Sequence, residues 1–227
     1  MPADAPTDRV CLLGCGVTTG YGAVLNTAAV EQGAASAAVF GLGAVGLAVV
    51  LGLRKRGVRK ILCVDVNPAK FAAAVDLGGD AVVCVNPHDH PGRRVADVVV
   101  ELTTEEGWGG AWYTFECVGS VELMRAALES AHRAWGVYVI IGVAPAGAEI
   151  ATRPFQLVTG RTWKGTAFGG VKGRSHMAGL VGDYRAGAIP LDKFVTHTYA
   201  GVAALNDAFH VMHDATANAL RPVIALW

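Results

Sequence analysis

The sequence predicts an α/β fold: a doubly wound parallel sheet of the Rossmann type, with short flanking remnants of a second domain. Short apolar runs alternate with segments of helical length from Ser36 onward. The hydrophobic fraction of 52% is typical of a sheet whose two faces are both covered by helices. A glycine-rich turn joins the first strand of the series to its first helix. Together these features favour one large α/β domain.

The predicted sheet has six strands, each an apolar run that ends near a glycine, a proline or a polar residue. These runs are Ser36–Phe40, Lys60–Val64, Ala81–Val85, Ala111–Cys117, Gly136–Gly142 and Thr162–Phe168. The segments between them with helical length are Ala44–Arg56, Pro68–Leu77, Val95–Leu102 and Val121–Ala131. In such a sheet, ligands bind at the carboxyl ends of the strands.

Both ends of the chain depart from this pattern. The tail predicts a helix, a strand, a helix and a strand, over Met177–Ala186, Phe194–Tyr199, Val202–His213 and Val223–Leu226. Neither this tail nor the lead-in is long enough to form a robust core alone. We therefore expect residues 34–168 to form the main α/β domain. Residues 1–33 and 169–227 are expected to belong to a second domain.

The turn at Gly41–Gly46 has the pattern G-x-G-x-x-G between a predicted strand and a predicted helix, and comprises Gly41, Leu42, Gly43, Ala44, Val45 and Gly46. In dinucleotide-binding folds the first glycine permits a tight turn, and the second lets backbone N–H groups approach a pyrophosphate. The third lets the helix pack closely on the strand, and the helix N-terminus supplies partial positive charge. The pattern alone is a weak signal, but here it has the required context.

An acid follows the second predicted strand at the spacing that this kind of site requires. Asp65 lies nineteen residues beyond Gly46, where a carboxylate accepts hydrogen bonds from the ribose hydroxyls and repels a 2′-phosphate. The pattern therefore predicts NAD rather than NADP as the cofactor. The alternative is that Asp65 caps the helix beginning at Pro68. Lys70 could reach the same ribose, although a solvated helix lysine is an equally good interpretation.

Composition excludes several other classes of function. Lys+Arg and Asp+Glu are balanced at 19 each, so no net charge favours nucleic acid or an anionic membrane. The longest apolar run, Ala44–Leu53, is too short to span a bilayer. The first residues lack the basic start and apolar core of a secretory signal, so we expect none here. The five cysteines are odd in number and form no Cys-x-x-Cys pair, which favours a reduced, cytoplasmic compartment.

Four strings resemble the zinc-dependent medium-chain alcohol dehydrogenases, most closely their class III, the S-(hydroxymethyl)glutathione (glutathione-dependent formaldehyde) dehydrogenases. They are Cys11–Gly22 (CLLGCGVTTGYG), Ala38–Leu47 (AVFGLGAVGL), Arg153–Gly170 (RPFQLVTGRTWKGTAFGG) and Phe194–Thr198 (FVTHT). The resemblance covers nearly all of residues 8–226. It implies a Rossmann fold, NAD and zinc as cofactors, an alcohol or a glutathione adduct as substrate, and a homodimer paired along the edge strand near Trp163–Phe168. It also implies that residues 34–168 are the dinucleotide-binding domain, that residues 1–33 lead in from a catalytic domain, and that residues 169–227 are the C-terminal portion of that catalytic domain.

The resemblance also implies roles for particular residues. Thr19 matches a threonine beside the nicotinamide, and Arg221 matches an arginine that reaches the pyrophosphate. The backbone segments that match those holding the carboxamide end of the cofactor comprise Ile141, Gly142, Val143, Thr166, Ala167 and Phe168. Cys15 matches one ligand of the catalytic zinc, although a lone cysteine in an apolar segment is more often a small buried hydrophobe.

The family's remaining zinc ligands and its proton relay come from an N-terminal catalytic domain that this sequence does not contain. Catalytic zinc needs three protein ligands and an open position, which Cys15 alone cannot supply. His210 and His213, and His88 with His90, have metal-like spacing, but solvated surfaces explain them better. Two hypotheses follow: an NAD-dependent oxidoreductase of the class III type, or a truncated, non-catalytic module for NAD binding and dimerisation.

Overall fold

The computed structural model describes residues 5–104, 109–214 and 217–226. The α-helices are α1 (Thr7–Val10), α2 (Gly16–Gly22), α3 (Ala44–Lys55), α4 (Phe71–Gly78), α5 (Val95–Leu102), α6 (Val121–Ser130), α7 (Phe155–Val158), α8 (Gly173–Arg185) and α9 (Leu205–His213). The strands are β1 (Ser36–Phe40), β2 (Lys60–Val64), β3 (Val82–Val85), β4 (Tyr113–Glu116), β5 (Val137–Ile140), β6 (Thr162–Gly165), β7 (Val195–Ala200) and β8 (Arg221–Ala225). Among the shorter turns of helix, a π-helix covers Ala23–Thr27.

The chain divides into two compact units. The larger unit, Thr19–Gly170, contains a six-stranded parallel sheet in the order β3-β2-β1-β4-β5-β6. This is the doubly wound order that the alternation of strands and helices predicted. The strand order reverses between β1 and β4, so the carboxyl ends of these two strands flank a crevice where ligands bind in this fold.

Both faces of the sheet are covered by helices at its centre, which explains why β1 and β2 are almost continuously apolar. On one face a cluster of buried side chains joins Phe40, Leu62 and Val64 to Val99 of α5 and Leu128 of α6. On the other face α3 contributes nine buried residues of its twelve and packs with α4 and the strands. Each fully buried leucine or valine contributes about 1.5–3 kcal/mol to folding, so this two-sided core is the main source of stability.

The smaller unit contains the described residues up to Thr18 and those from Val171 onward. Its two strands, β7 and β8, pair in parallel, and its buried side chains include Leu13, Val181, Leu191 and Phe194. Arg9 of α1 forms an ion pair with Asp192 at 2.7 Å. The two ends of the chain therefore fold together into one unit.

The larger unit begins at Thr19, not at residue 34 where the sequence placed the boundary. The reason is close packing of α2 on α3: a Cβ added to Gly20 would lie 2.1 Å from the carbonyl oxygen of Val45 and 2.8 Å from Cβ of Ala48. The role assigned to each unit stays a prediction.

Among the described helices no single one combines the length and apolarity of a bilayer span. One bent pair of helical segments, Thr7–Gly14 with Gly16–Thr27, meets those two criteria together.

Candidate functional site

The three glycines of the turn after β1 have different surroundings. Gly41 has φ +90°, and a Cβ there would lie 2.4 Å from Cγ2 of Val118. A Cβ on Gly46 would lie 1.8 Å from the carbonyl oxygen of Gly41, so the third glycine lets α3 pack onto the turn. A Cβ on Gly43 would have no heavy atom within 4 Å. The fold therefore requires glycine at Gly41 and Gly46. At Gly43 a side chain would meet no neighbouring atom, so the lack of one leaves open space beside the backbone.

The turn leads directly into α3, whose first residue is Ala44. Gly43 is its N-cap, with extended backbone and no side chain capping the first turn. The Gly43 carbonyl accepts the N–H of Leu47 at 2.9 Å, so the helix starts immediately. The N–H groups in the first turn of a helix have no intrahelical acceptor and carry partial positive charge. This arrangement suits a phosphate group.

Asp65 follows β2 and is almost fully buried. Its Oδ2 accepts the N–H of Leu42 at 2.7 Å, and its Oδ1 accepts the N–H of Asn67 at 2.9 Å. Lys70 Nζ lies 3.1 Å from the same Oδ2. The cap of the following helical turn is Asn67, whose side chain accepts the N–H of Ala69. Asp65 is thus not the cap of the turn that begins at Pro68, and Lys70 forms an ion pair with the Asp65 carboxylate.

An open pocket of about 310 Å³ lies at the carboxyl edge of the sheet. Four of the predicted residues, Gly41, Gly43, Asp65 and Lys70, line it. The remaining lining residues are Phe40, Val64, Val66, Pro87, Cys117, Val118 and Leu123. The pocket therefore spans the ends of β1, β2 and β4, where the strand order reverses.

Cys117 and Val118 are lining residues that sequence reasoning did not single out. They follow β4, the neighbour of β1 across the point where the strand order reverses. Their signal in the sequence is position alone: Cys117 ends the fourth predicted strand, and Val118 directly follows it. Burial raises the pKa of the Cys117 thiol far above its ordinary value, which keeps it protonated and unreactive.

Glu116, the last residue of β4, was also missed. It is fully buried, and its Oε1 accepts the N–H groups of Val118 and Gly119 at 2.8 Å each. Its backbone carbonyl accepts the N–H groups of Ile141 and Gly142 at 2.9 Å each. Burial raises the pKa of this carboxyl, although the N–H donors oppose the shift. Glu116 thus joins the pocket wall at Val118 to the predicted carboxamide segment at residues 141–143.

The segment Ile141–Val143 adjoins the turn after β4. A Cβ on Gly142 would lie 2.1 Å from the N atom of Gly119, and a Cβ on Gly119 would lie 2.3 Å from the carbonyl oxygen of Val143. The Val143 side chain is 90% exposed. The structure therefore brings this predicted segment into direct contact with the loop that lines the pocket.

The second predicted carboxamide segment, Thr166–Phe168, follows the edge strand β6. Phe168 has φ +54°, a left-handed conformation that is unfavourable for a residue with a Cβ, and Gly169 and Gly170 continue in the same region at +64° and +66°. Such strain is concentrated at functional sites and persists only where surrounding contacts impose it.

Thr19, Cys15 and Arg221 also have defined positions. Thr19 lies in α2 and is half-buried. Cys15 is exposed, so it is not the buried hydrophobe of the alternative interpretation. Arg221 begins β8 in the smaller unit, and a Cβ on Gly16 would lie 2.9 Å from its Nη2.

The described residues do not fit a catalytic zinc ion. No group of three His, Cys, Asp or Glu side chains within residues 5–104, 109–214 and 217–226 could hold a metal, and a catalytic zinc needs three protein ligands. His88, His210 and His213 are exposed. By contrast, the glycine turn, the uncapped start of α3 and the buried Asp65 fit the pyrophosphate and ribose of a dinucleotide.

This fold and the glycine turn at its switch point define a Rossmann-type α/β domain. Residues 44–183 match the family model described as zinc-binding dehydrogenase, and the chain belongs to that family.

Relatives and solved structures agree with this assignment. S-(hydroxymethyl)glutathione dehydrogenase of Photobacterium damsela subsp. piscicida is 56% identical over 220 residues, which are 97% of this chain and 57% of that protein. The protein of the same name from Synechocystis sp. is 56% identical over 221 residues, with the same coverage. This chain therefore spans little more than half the length of these relatives.

Two crystal structures share the fold over the whole chain. An alcohol dehydrogenase zinc-binding domain protein from Burkholderia ambifaria superposes with a TM-score of 0.86 at 28% identity, covering 100% of this chain and 58% of that one. Benzyl alcohol dehydrogenase from Acinetobacter calcoaceticus superposes with a TM-score of 0.85 at 26% identity, covering 100% of this chain and 59% of that one.

Proposed function

We propose that this chain binds NAD and forms the cofactor-binding part of an alcohol-oxidising enzyme of the class III type. The observation that carries the proposal is the Asp65 carboxylate, buried at the end of β2 and bonded to both the glycine turn and Lys70. NAD, when bound, supplies the acceptor for a hydride.

The chain's own residues would bind and orient the dinucleotide. The N–H groups of Gly43 to Gly46, at the start of α3, would hold the pyrophosphate, and the space beside Gly43 would admit it. Asp65 would accept hydrogen bonds from the adenosine ribose, and Lys70 would balance its charge. Val118 would cover the adenosine end of the pocket. Residues 141–143 and 166–168 would supply backbone groups to the carboxamide.

The substrate proposal rests on the relatives. Two proteins that are 56% identical to this chain carry the name S-(hydroxymethyl)glutathione dehydrogenase, so we infer the same substrate, or a related primary alcohol, for the whole enzyme. We assign no step to zinc in this chain, since the described residues do not form a three-ligand site. The NAD-binding module without turnover remains the second candidate.

We also propose that the chain forms a homodimer through the β6 side of the sheet. β6 is an edge strand, so its outer backbone groups are available for pairing. Two large apolar side chains just before it, Phe155 and Val158 of α7, are 68% and 78% exposed. A second copy of the chain would cover them.

Calorimetric titration of the purified chain with NAD and with NADP tests the cofactor proposal. We expect one site per chain and tighter binding of NAD, because Asp65 would repel a 2′-phosphate. Equal affinity for both, or binding of neither, would contradict it. An assay with S-(hydroxymethyl)glutathione, NAD and zinc separates the candidates: turnover supports the complete activity in this chain, and NAD binding without turnover supports the module.

A further inference from the structure

The left-handed turn after β6, at residues 168–170, is held by hydrogen bonds from the π-helix at Ala23–Thr27. The N–H of Ala28 reaches back five residues to the carbonyl oxygen of Ala23 at 2.8 Å. Helical turns of this kind are rare and are frequently found at functional sites. Asn26 and Thr27 are the last two residues of this π-helix.

Asn26 and Thr27 both bond to the strained turn. Asn26 Nδ2 donates to the carbonyl oxygen of Gly169 at 3.1 Å, and the hydroxyl oxygens of Thr27 and Thr166 lie 2.6 Å apart. These bonds join positions 143 and 139 residues apart in the chain. They therefore form only when the fold brings the π-helix to the end of β6.

Two further contacts fix the same junction. Lys164 Nζ, from β6 itself, donates to the carbonyl oxygen of Thr27 at 3.1 Å. A Cβ on Gly170 would lie 3.2 Å from Cβ of Asn26 and 3.3 Å from Oγ1 of Thr27. The turn at Gly170 therefore lies close against the end of the π-helix. The turn is thus bonded on both sides of Phe168, at Thr166 and at Gly169. Contacts of this kind can hold a conformation that the local sequence disfavours.

We propose that Asn26 and Thr27 are positioning residues, which hold Thr166–Phe168 in the backbone conformation that receives the nicotinamide carboxamide. The proposal rests on the NAD site proposed above. Neither side chain needs to touch the cofactor. Without them the Phe168 backbone would relax to negative φ, and the segment would lose the conformation proposed to receive the carboxamide. The adenosine half of the site, at Asp65 and the glycine turn, would be unaffected.

The test compares NAD with ADP-ribose, which has the same adenosine and pyrophosphate but no nicotinamide. Thr27→Val keeps the shape and removes the hydroxyl, and Asn26→Leu removes the amide donor from an exposed position. Each should weaken NAD binding about fivefold or more and leave ADP-ribose binding within about twofold of wild type. Thr27→Ser restores the hydroxyl and should restore the NAD affinity. The fluorescence of bound NADH reports the nicotinamide surroundings directly and should change in Thr27→Val at saturation.

Thr103→Val is the matched control. Its hydroxyl is buried and donates to the carbonyl oxygen of Val99 at 2.7 Å. The preceding residue, Leu102, accepts a hydrogen bond from Lys60 at the amino end of β2, whereas the proposed NAD site lies at the carboxyl ends of the strands. This substitution should leave the affinities for both ligands unchanged. Equal weakening of NAD and ADP-ribose in the Asn26 and Thr27 variants, or no weakening of either, would overturn the proposal. If Thr27→Val does not fold, Asn26→Leu decides. A wild-type chain that binds neither ligand would instead contradict the proposed function.

Discussion

Asp65 Oδ2 accepts the backbone N–H of Leu42 at 2.7 Å, so the acid at the end of β2 is bonded directly to the glycine turn after β1. The same carboxylate is paired with Lys70. One side chain thus supports the loop proposed to bind pyrophosphate and presents its charge where the adenosine ribose would lie.

Asp65→Ala should weaken NAD binding about 10- to 100-fold, because hydrogen bonds to a charged group contribute about 1.5–3 kcal/mol. The same change should narrow the difference between NAD and NADP, since the negative charge that repels a 2′-phosphate is lost. Isothermal titration calorimetry with both cofactors measures the two effects. Asp97→Asn, which alters an exposed carboxylate paired with Arg94, is the control and should change neither affinity. An unchanged NAD affinity in Asp65→Ala would remove this residue from the site.

Gly43→Ala and Gly46→Ala should separate binding from stability. A Cβ on Gly43 meets no protein atom within 4 Å, so Gly43→Ala should keep the melting temperature and weaken NAD by narrowing the space proposed for the pyrophosphate. A Cβ on Gly46 would overlap the Gly41 carbonyl oxygen, so Gly46→Ala should lower the melting temperature by several degrees or prevent folding. Differential scanning fluorimetry and NAD titration measure the pair. A Gly43→Ala chain with wild-type affinity would contradict the proposed position of the pyrophosphate.

Glu116→Gln should change how stability depends on pH. Burial raises the pKa of Glu116, so the folded chain binds this proton more tightly than the unfolded chain does. Stability from this group is therefore present at low pH and is lost as pH rises from the ordinary glutamate value, about 4.3, to the higher folded pKa. The glutamine variant does not titrate. Its free energy of unfolding, relative to wild type, should therefore increase over that range and then level off.

Urea denaturation at a series of pH values checks this prediction. The neighbouring ionisable groups, Cys117 and Tyr138, have pKa values raised well above neutrality, so they do not titrate in the same range. Thr114→Val is the control, since it alters another buried polar side chain on β4 without changing charge. A pH-independent difference between Glu116→Gln and wild type would show that Glu116 is not buried as an ionisable group.

Val158→Glu should convert the proposed homodimer into monomers, because it places a charge on the exposed apolar surface of α7 beside the edge strand β6. Light scattering coupled to size-exclusion chromatography measures the change. Phe209→Glu is the matched control: Phe209 is a large apolar side chain of α9 that is 53% exposed, and its replacement should leave the dimer intact. Loss of the dimer in Phe209→Glu, but not in Val158→Glu, would move the interface to α9.

Much of the larger unit could be predicted from short-range patterns. The β1, β2 and α5 bounds agree with the predicted runs, because an apolar run between turn residues is a local property of the chain. Other ends differ by a few residues: Ala111–Cys117 contracts to β4 at Tyr113–Glu116, and Pro68–Leu77 begins as a 3₁₀ turn before α4. Ends are decided by hydrogen bonds to neighbouring strands and by caps such as Asn67, which the run itself does not specify.

By itself, the sequence determined the six-stranded sheet, the glycine turn and the acid after β2, because these depend on residue type and spacing along the chain. The tertiary structure alone decided that Glu116 joins two loops and that Asn26 and Thr27, more than 130 residues earlier in the chain, bond to Gly169 and Thr166 on either side of a left-handed Phe168. A glutamate in a strand, or a phenylalanine before two glycines, carries no local sign of such a role. Burial and long-range hydrogen bonds exist only after the strands have assembled, and those interactions set the conformation of the site.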